Sequence, residues 1–164
     1  MRIHIATDHA GLEFSTQLQH HLAAEGHEVV DHGPIDYDPL DDYPAFCVRA
    51  AQGVVADQAA GVPALGVVFG GSGNGEQIAA NKVEGARAAL VWNQSTAQLA
   101  REHNDANVIA IGARQHEFDE VVALIDGNSG ERLKQLGDLS LGDIVRLPDD
   151  KRAFESSQAG GDED

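Results

Sequence analysis

Six residues, Gly70-Gly71-Ser72-Gly73-Asn74-Gly75, run directly into a carboxylate, Glu76. A glycine-rich turn that opens a helix aims several main-chain N–H groups at one point, where the helix dipole also favours negative charge. Two nucleotide-binding patterns fail against this string. A P-loop requires Lys followed by Ser or Thr after its last glycine; here Gly75 precedes Glu76-Gln77, and a carboxylate there repels a triphosphate. The dinucleotide pattern G-x-G-x-x-G accepts Gly71 and Gly73 but meets Glu76 at its third glycine. The arrangement suits proton abstraction beside a carbonyl instead. Glu76 supplies the base, the amides around Gly71, Gly73, Asn74 and Gly75 face the developing enediolate oxygen, and Ser72 adds a hydroxyl donor. A tight turn with a helix-capping glutamate is the plain alternative.

Other polar residues extend the possible chemistry. His103, at the end of a helix-like segment in Arg101-Glu102-His103-Asn104-Asp105, is a candidate proton shuttle, since imidazole as a group titrates near neutrality, or else a surface residue. Asp8-His9 can bind hydroxyls or an anion; helix capping by Asp8 is the alternative. Arg114 can clamp a phosphate through paired hydrogen bonds or simply face solvent. His20, His21, His27, His32 and His116 lack metal-ligand spacing and are expected on the surface. Cys47, in an Ala/Val-rich context, reads as a small buried hydrophobe rather than a nucleophile.

These groups need a scaffold. Strand-like and helix-like segments alternate: a strand over 3–6, a helix bearing Phe14, Leu18 and Leu22 on one face and stopping at Gly26, and a strand over 28–31. A proline- and aspartate-rich loop spans 32–44, followed by a helix over 45–60 and an uninterrupted apolar strand over 65–69. A helix then opens at Glu76, and the series continues with a strand over 86–92, a helix over 94–102, a strand over 108–111 and a helix over 117–125. Such repeats predict an α/β fold, a Rossmann-like three-layer sandwich with a parallel sheet and helices on both faces. Ligands bind beyond the carboxyl ends of such strands, and Asp8-His9, the glycine loop and Arg114 all fall there. One domain over 1–148 and an acidic, disordered tail over 149–164 are expected.

Composition narrows the partners. The 164 residues carry 11 Lys+Arg against 27 Asp+Glu, a formal charge of −16, which disfavours nucleic acid and anionic membranes. No apolar run approaches the roughly 20 residues of a membrane span. The start of the chain passes directly into a strand pattern, so no signal peptide is expected. The single cysteine precludes an internal disulfide and fits a reducing compartment, so a cytoplasmic protein is expected.

Six motifs occur in order: Ala6-Thr7-Asp8-His9-Ala10-Gly11, Asp41-Asp42-Tyr43-Pro44, Gly70 to Glu76, Ala79-Ala80-Asn81-Lys82, Arg101-Glu102-His103-Asn104 and Ile111-Gly112-Ala113-Arg114. Over residues 1–127 the chain strongly resembles the type B ribose-5-phosphate isomerases, a family that includes galactose-6-phosphate isomerase subunits. The resemblance implies an aldose–ketose isomerase of carbohydrate metabolism, in the pentose phosphate pathway, without metal or organic cofactor. It also implies a dimer or tetramer whose active sites are shared between subunits, acting on a small sugar phosphate.

By residue, the resemblance makes Glu76 the base, since serine rather than cysteine occupies position 72. It assigns ring opening to His103 with Asn104 beside it, and sugar contact near the ring oxygen to Asp8. His9, Arg114 and Arg132 hold the phosphate, and the loop amides hold the enediolate. The chain departs from the family at Gly130-Glu131-Arg132-Leu133-Lys134-Gln135-Leu136, where Leu133 replaces a histidine and Leu136 a second arginine. A charge-assisted contact is worth about 1.5–3 kcal/mol, so losing one lowers affinity roughly tenfold or more. An isomerase of a tetrose or hexose phosphate, and a sugar-phosphate-binding subunit without turnover, are therefore the alternatives.

Overall fold

The structure is a computed structural model that describes the backbone of residues 1–129 and side chains through residue 125. The expected boundary at 148, the tail over 149–164, and Arg132 with Leu133, Lys134 and Leu136 lie outside the described residues. The elements in chain order are β1 (Arg2–Ala6), α1 (Leu12–Ala24), β2 (Glu28–Asp31), α2 (Pro44–Ala59), β3 (Ala64–Gly70), α3 (Asn74–Ala80), β4 (Ala88–Leu90), α4 (Gln94–Glu102), β5 (Val108–Gly112) and α5 (Phe118–Ser129). The five strands form one parallel sheet in the order β2-β1-β3-β5-β4.

Strand side chains alternate between faces, and each face receives its own helices. Ile3, Ile5, Val67, Phe69 and Ile111 point to the side covered by Leu18 and Leu22 of α1 and by Val121 and Ile125 of α5. Ala6, Val68, Ala88, Val108 and Ala110 point to the other side, beneath Cys47, Ala50, Ala51 and Val54 of α2 and Ala79 and Ala80 of α3. The small residues on this second face let α2 and α3 lie close to the sheet. The α4 helix joins the first side through Ala97 and Ala100, which pack with Val91, Ala106 and Leu124.

Local chemistry sets the element ends. A Schellman turn closes α1: Gly26, at φ 86°, donates to the Ala23 carbonyl while His27 donates to that of Leu22. Pro44 opens α2 one residue earlier than expected, because its fixed φ suits a first helical position. The α3 helix starts at Asn74, not Glu76, because Gly73 takes a left-handed φ of 81° and serves as N-cap. Its Cβ would lie 2.7 Å from Leu90 Cδ1, so a side chain is excluded as well.

The β4 strand is shorter than the expected 86–92. At its outer edge the Asn81 side chain exchanges two bonds with the Ala88 backbone, replacing a neighbouring strand. At its end Trp92 and Asn93 already donate to Thr96 Oγ1, as part of the capping box that begins α4.

Cys47 is fully buried as expected, and desolvation pushes its thiol up to about 12, which removes it as a nucleophile at neutral pH. The surface expectation for the histidines fails for four of five. His20 is exposed, but His21, His27, His32 and His116 are partly buried. His32 is drawn in by a hydrogen bond to a buried His4, and the His116 side chain is only 9% exposed beside Glu120. No helix among the described residues is long and apolar enough to cross a membrane.

Candidate active site

Three strands end side by side. The β3 and β5 strands finish in register at Gly70 and Gly112, and β1 ends beside them at Ala6. The segments that follow carry Asp8-His9, the glycine loop and Arg114 onto one edge of the sheet, as expected. Gly112 fits against the loop so closely that a Cβ would come 2.8 Å from the Ser72 carbonyl carbon.

Glu76 occupies the centre of this edge. It is only 3% exposed, although a carboxylate in the first turn of a short helix could easily face solvent. Its carboxylate lies against Gly70, where a Cβ would stand 1.6 Å from Oε1 and 2.1 Å from Cδ. Gly70 is therefore the notch that admits the Glu76 carboxylate. Tyr43 lies over the adjoining helix turn, its ring 2.4 Å from where a Gly75 Cβ would stand.

Burial raises the Glu76 pKa above the ordinary carboxylate value, and the charges of Asp8 and Asp42 push it the same way. Hydrogen bonds from the main-chain N–H groups of Glu76 itself and Gly73 act in the opposite direction. A carboxylate in such a setting is a stronger base than an exposed one, and it accepts from two main-chain N–H groups. Gly70→Ala is expected to lower kcat about 100-fold with a much smaller change in KM, because the base must shift by about 1 Å or more. Steady-state kinetics check this.

The neighbours of Glu76 suit a polar, anionic substrate. His9 donates both its main-chain N–H, at 2.9 Å, and its Nδ1–H, at 2.8 Å, to Asp41 Oδ1. That bond, with the charges of Asp8 and Asp41, raises the His9 pKa, against desolvation and the nearby Arg114. His9 thus leans towards the cationic form, with Nε2 as its remaining donor. The exposed Arg114 guanidinium lies beside Gly71, its Nη1 3.5 Å from where a Cβ would stand.

Asp8 is 7% exposed and accepts from the Ala10 amide at 2.9 Å. It shapes the turn before α1 but does not cap the helix, whose N-cap is Gly11. Ser72 is exposed, and its Oγ accepts bonds from the Asn74 main chain at 3.4 Å and side chain at 3.3 Å. These bonds leave the Ser72 hydroxyl proton uncommitted.

The family model described as Ribose/Galactose Isomerase matches residues 3–133. The chain belongs to that family. The ribose-5-phosphate isomerase B of Mycolicibacterium paratuberculosis is 55% identical over 126 residues, 77% of each chain. The galactose-6-phosphate isomerase subunit LacB of Clostridium acetobutylicum is 41% identical over 126 residues, 77% of this chain and 70% of that one. Among solved structures, ribose-5-phosphate isomerase B from Mycoplasma genitalium with bound ribulose-5-phosphate matches with TM-score 0.72 and 34% identity, covering 84% of this chain and 94% of that one.

Two expected site residues stand apart in this member of the ribose/galactose isomerases. His103 is the C-cap of α4, five residues before β5 begins, so it lies at the amino edge of the sheet. Glu76 follows the carboxyl end of β3. The paired stretch from Gly66–Val108 to Gly70–Gly112 separates the two edges by four residues, about 13 Å along the strands. A single chain therefore does not bring His103 and Asn104 to Glu76. Both are exposed, and their turn is fixed by Arg87, which bonds the Asp105 carboxylate at 2.7 Å and its carbonyl at 2.7 Å. Arg101 adds a hydrogen bond to the Ala106 carbonyl.

Asp41, Asp42 and Tyr43 join the site although no role is assigned to them from sequence. Their signal is present in the string Asp41-Asp42-Tyr43-Pro44, immediately before the proline that starts α2. Among the described residues, no cluster of three or more His, Cys, Asp or Glu side chains is placed to hold a metal ion.

Proposed function

We propose that this chain interconverts ribose 5-phosphate and ribulose 5-phosphate by proton transfer through a cis-enediolate. The observation that carries the reading is the Glu76 carboxylate, buried in the Gly70 notch with main-chain donors around it. Glu76 takes the proton from C2 of the opened aldose and returns it to C1, while the O2 hydroxyl proton passes to O1 across the cis-enediolate and leaves the ketose carbonyl at C2. The loop amides at Gly71 and Gly75, with the Ser72 hydroxyl, face the oxygens on which negative charge develops, while those of Gly73 and Asn74 hold Glu76 and Ser72 in place. Asp8 contacts the sugar near the ring oxygen. His9, held by Asp41, and Arg114 take the phosphate, and Arg132 is assigned to the same group by its family position. The names of the relatives support ribose 5-phosphate over longer or shorter sugars.

Ring opening falls to His103 and Asn104 of a second copy. In a two-fold dimer, a patch near Glu76 on one subunit meets a patch near His103 on the other, and the exchange is reciprocal, giving two sites. Ile78 on α3, Trp92 after β4 and Leu99 on α4 are 59%, 66% and 43% exposed. Burying them supports a homo-oligomer with shared sites. The fully buried lone thiol fits action in the reducing cytoplasm.

The test is turnover of a panel of tetrose, pentose and hexose phosphates in deuterated water, followed by proton NMR. The expected result is highest kcat/KM for ribose 5-phosphate, with deuterium entering the product at C1. A preference for another chain length would reassign the substrate. Ligand binding without turnover or solvent exchange at C2 would make the chain a binding subunit.

A further inference from the structure

A second group of titratable side chains lies beneath α2, apart from the residues around Glu76. Asp57 accepts from Arg2 Nη1 on Oδ1 at 2.8 Å and bonds His4 Nε2 on Oδ2 at 2.8 Å. The other nitrogen of His4 lies 2.8 Å from His32 Nε2. The His4 side chain is 5% exposed, and the space for its ring exists because α2 carries a glycine there. A Cβ on Gly53 would lie 2.4 Å from His4 Nδ1 and 3.2 Å from His32 Nε2. A helix-weakening glycine at that one point marks the histidine pair as an accommodated feature of the fold.

Proton counting gives the pair its property. With His4 Nε2–H donated to Asp57, the contact between Nδ1 and His32 Nε2 holds a single proton, carried by either ring. One imidazolium in the pair keeps this bond, whereas protonation of both rings sets N–H against N–H at 2.8 Å, and the contact must break. His32 is also the first residue of the loop that furnishes the active site. Its main-chain N–H donates to Ile5, its carbonyl accepts from Arg49, and the Gly33 carbonyl accepts from Thr7, next to Asp8. The loop then delivers Asp41 to His9 and Tyr43 to Gly75.

We propose that Asp57, His4 and His32 form a proton-gated latch. One proton between the rings holds loop 33–43 in place for substrate binding, and protonation of both rings releases it. His32 is thus a positioning residue, and the consequence for turnover rests on the isomerase reading above. The groups facing His32 are His4 from β1, Arg49 from α2 and Asp31 at the end of β2, with Asp57 and Arg2 behind His4. Burial, then His4, then Arg49 hold its pKa below the ordinary histidine value, with Asp31 opposing. Native stability from the neutral ring is therefore present above about pH 6.5 and is lost as pH falls towards the lower native value.

The test uses the full chain. KM for ribose 5-phosphate is followed from about pH 7.5 to about pH 5.5 in wild type and in His32→Gln, whose amide can still donate to His4. Substrate ionisation, His9 and Glu76 titrate in both proteins, so the comparison isolates the latch. The wild-type KM is expected to rise more steeply, by up to about tenfold per pH unit below the His32 midpoint. The acid limb of kcat, set by Glu76, should remain in both. Equal KM profiles would overturn the latch.

Nitrogen NMR of the imidazoles supplies a readout without turnover. In substrate-free wild type, the Thr7 and Gly33 amide signals should move in step with the His32 ring. A His32 titration that leaves those amides unmoved would overturn the proposal even if isomerase activity were normal. Absence of isomerase activity would instead sink the functional reading, and the spectra alone would then decide the latch.

Discussion

A mixture of Glu76→Gln and His103→Ala chains, unfolded and reassembled together, should recover about a quarter of wild-type activity from two nearly inactive parents. Each parent loses one acid–base group, a loss worth about 10²–10⁴ in rate. In the proposed arrangement, where Glu76 and His103 meet across the interface, one site of a mixed dimer receives both defects and the other receives neither. Random pairing makes about half the dimers mixed, each with one intact site of two. The basis is the opposite placement of the two residues, Glu76 after the carboxyl end of β3 and His103 before the amino end of β5. If both residues served one site within a chain, mixing would recover nothing. Activity of the mixture, read beside its oligomeric state, distinguishes the two arrangements.

The same topology shows which parts of the site were legible beforehand. The βα alternation, with its apolar run over 65–69 and the Leu18–Leu22 face, predicts a doubly covered parallel sheet, and the structure has one. From that sheet it follows that Asp8-His9, the glycine loop and Arg114 converge, because all three lie just past strand ends. The position of His103 is implied by the same rule, since a helix between parallel strands returns the chain to the amino edge. Only the family resemblance, with its shared sites, points to a second subunit.

Other features depend on tertiary contacts that periodicity does not carry. The early end of β4 follows from Asn81 and Thr96 side chains that take over its backbone partners. The Gly70 notch is invisible in the string, where Gly70 is one of several loop glycines; only the position of the Glu76 carboxylate distinguishes it. His4 and His32 are 28 residues apart and become a pair only because β1 and β2 run side by side in register. Asp41 sits in a segment that reads as a loop, and its bond to His9 spans 32 residues.

The buried Glu76 carboxylate also has a cost to the fold. Because the native Glu76 pKa is raised, its stability contribution is fully present below the unfolded value near 4.5 and is lost as pH rises through the native value. At neutral pH the charged carboxylate is held beside Asp8 and Asp42 at the expense of stability. Glutamine keeps the shape and one accepting oxygen while removing the charge. Glu76→Gln should therefore be the more stable protein at neutral pH, and the difference should close on acidification as wild-type Glu76 takes up its proton. Activity and stability should move in opposite directions in this single variant.

The most direct measurement of the central claim is turnover of ribose 5-phosphate by Glu76→Gln at neutral pH, made alongside its thermal unfolding. The account predicts kcat reduced by about 10²–10⁴-fold in a protein whose Tm is higher than wild type. Near-normal kcat in a folded variant would contradict it, because the proton would then be moving without the carboxylate in the Gly70 notch.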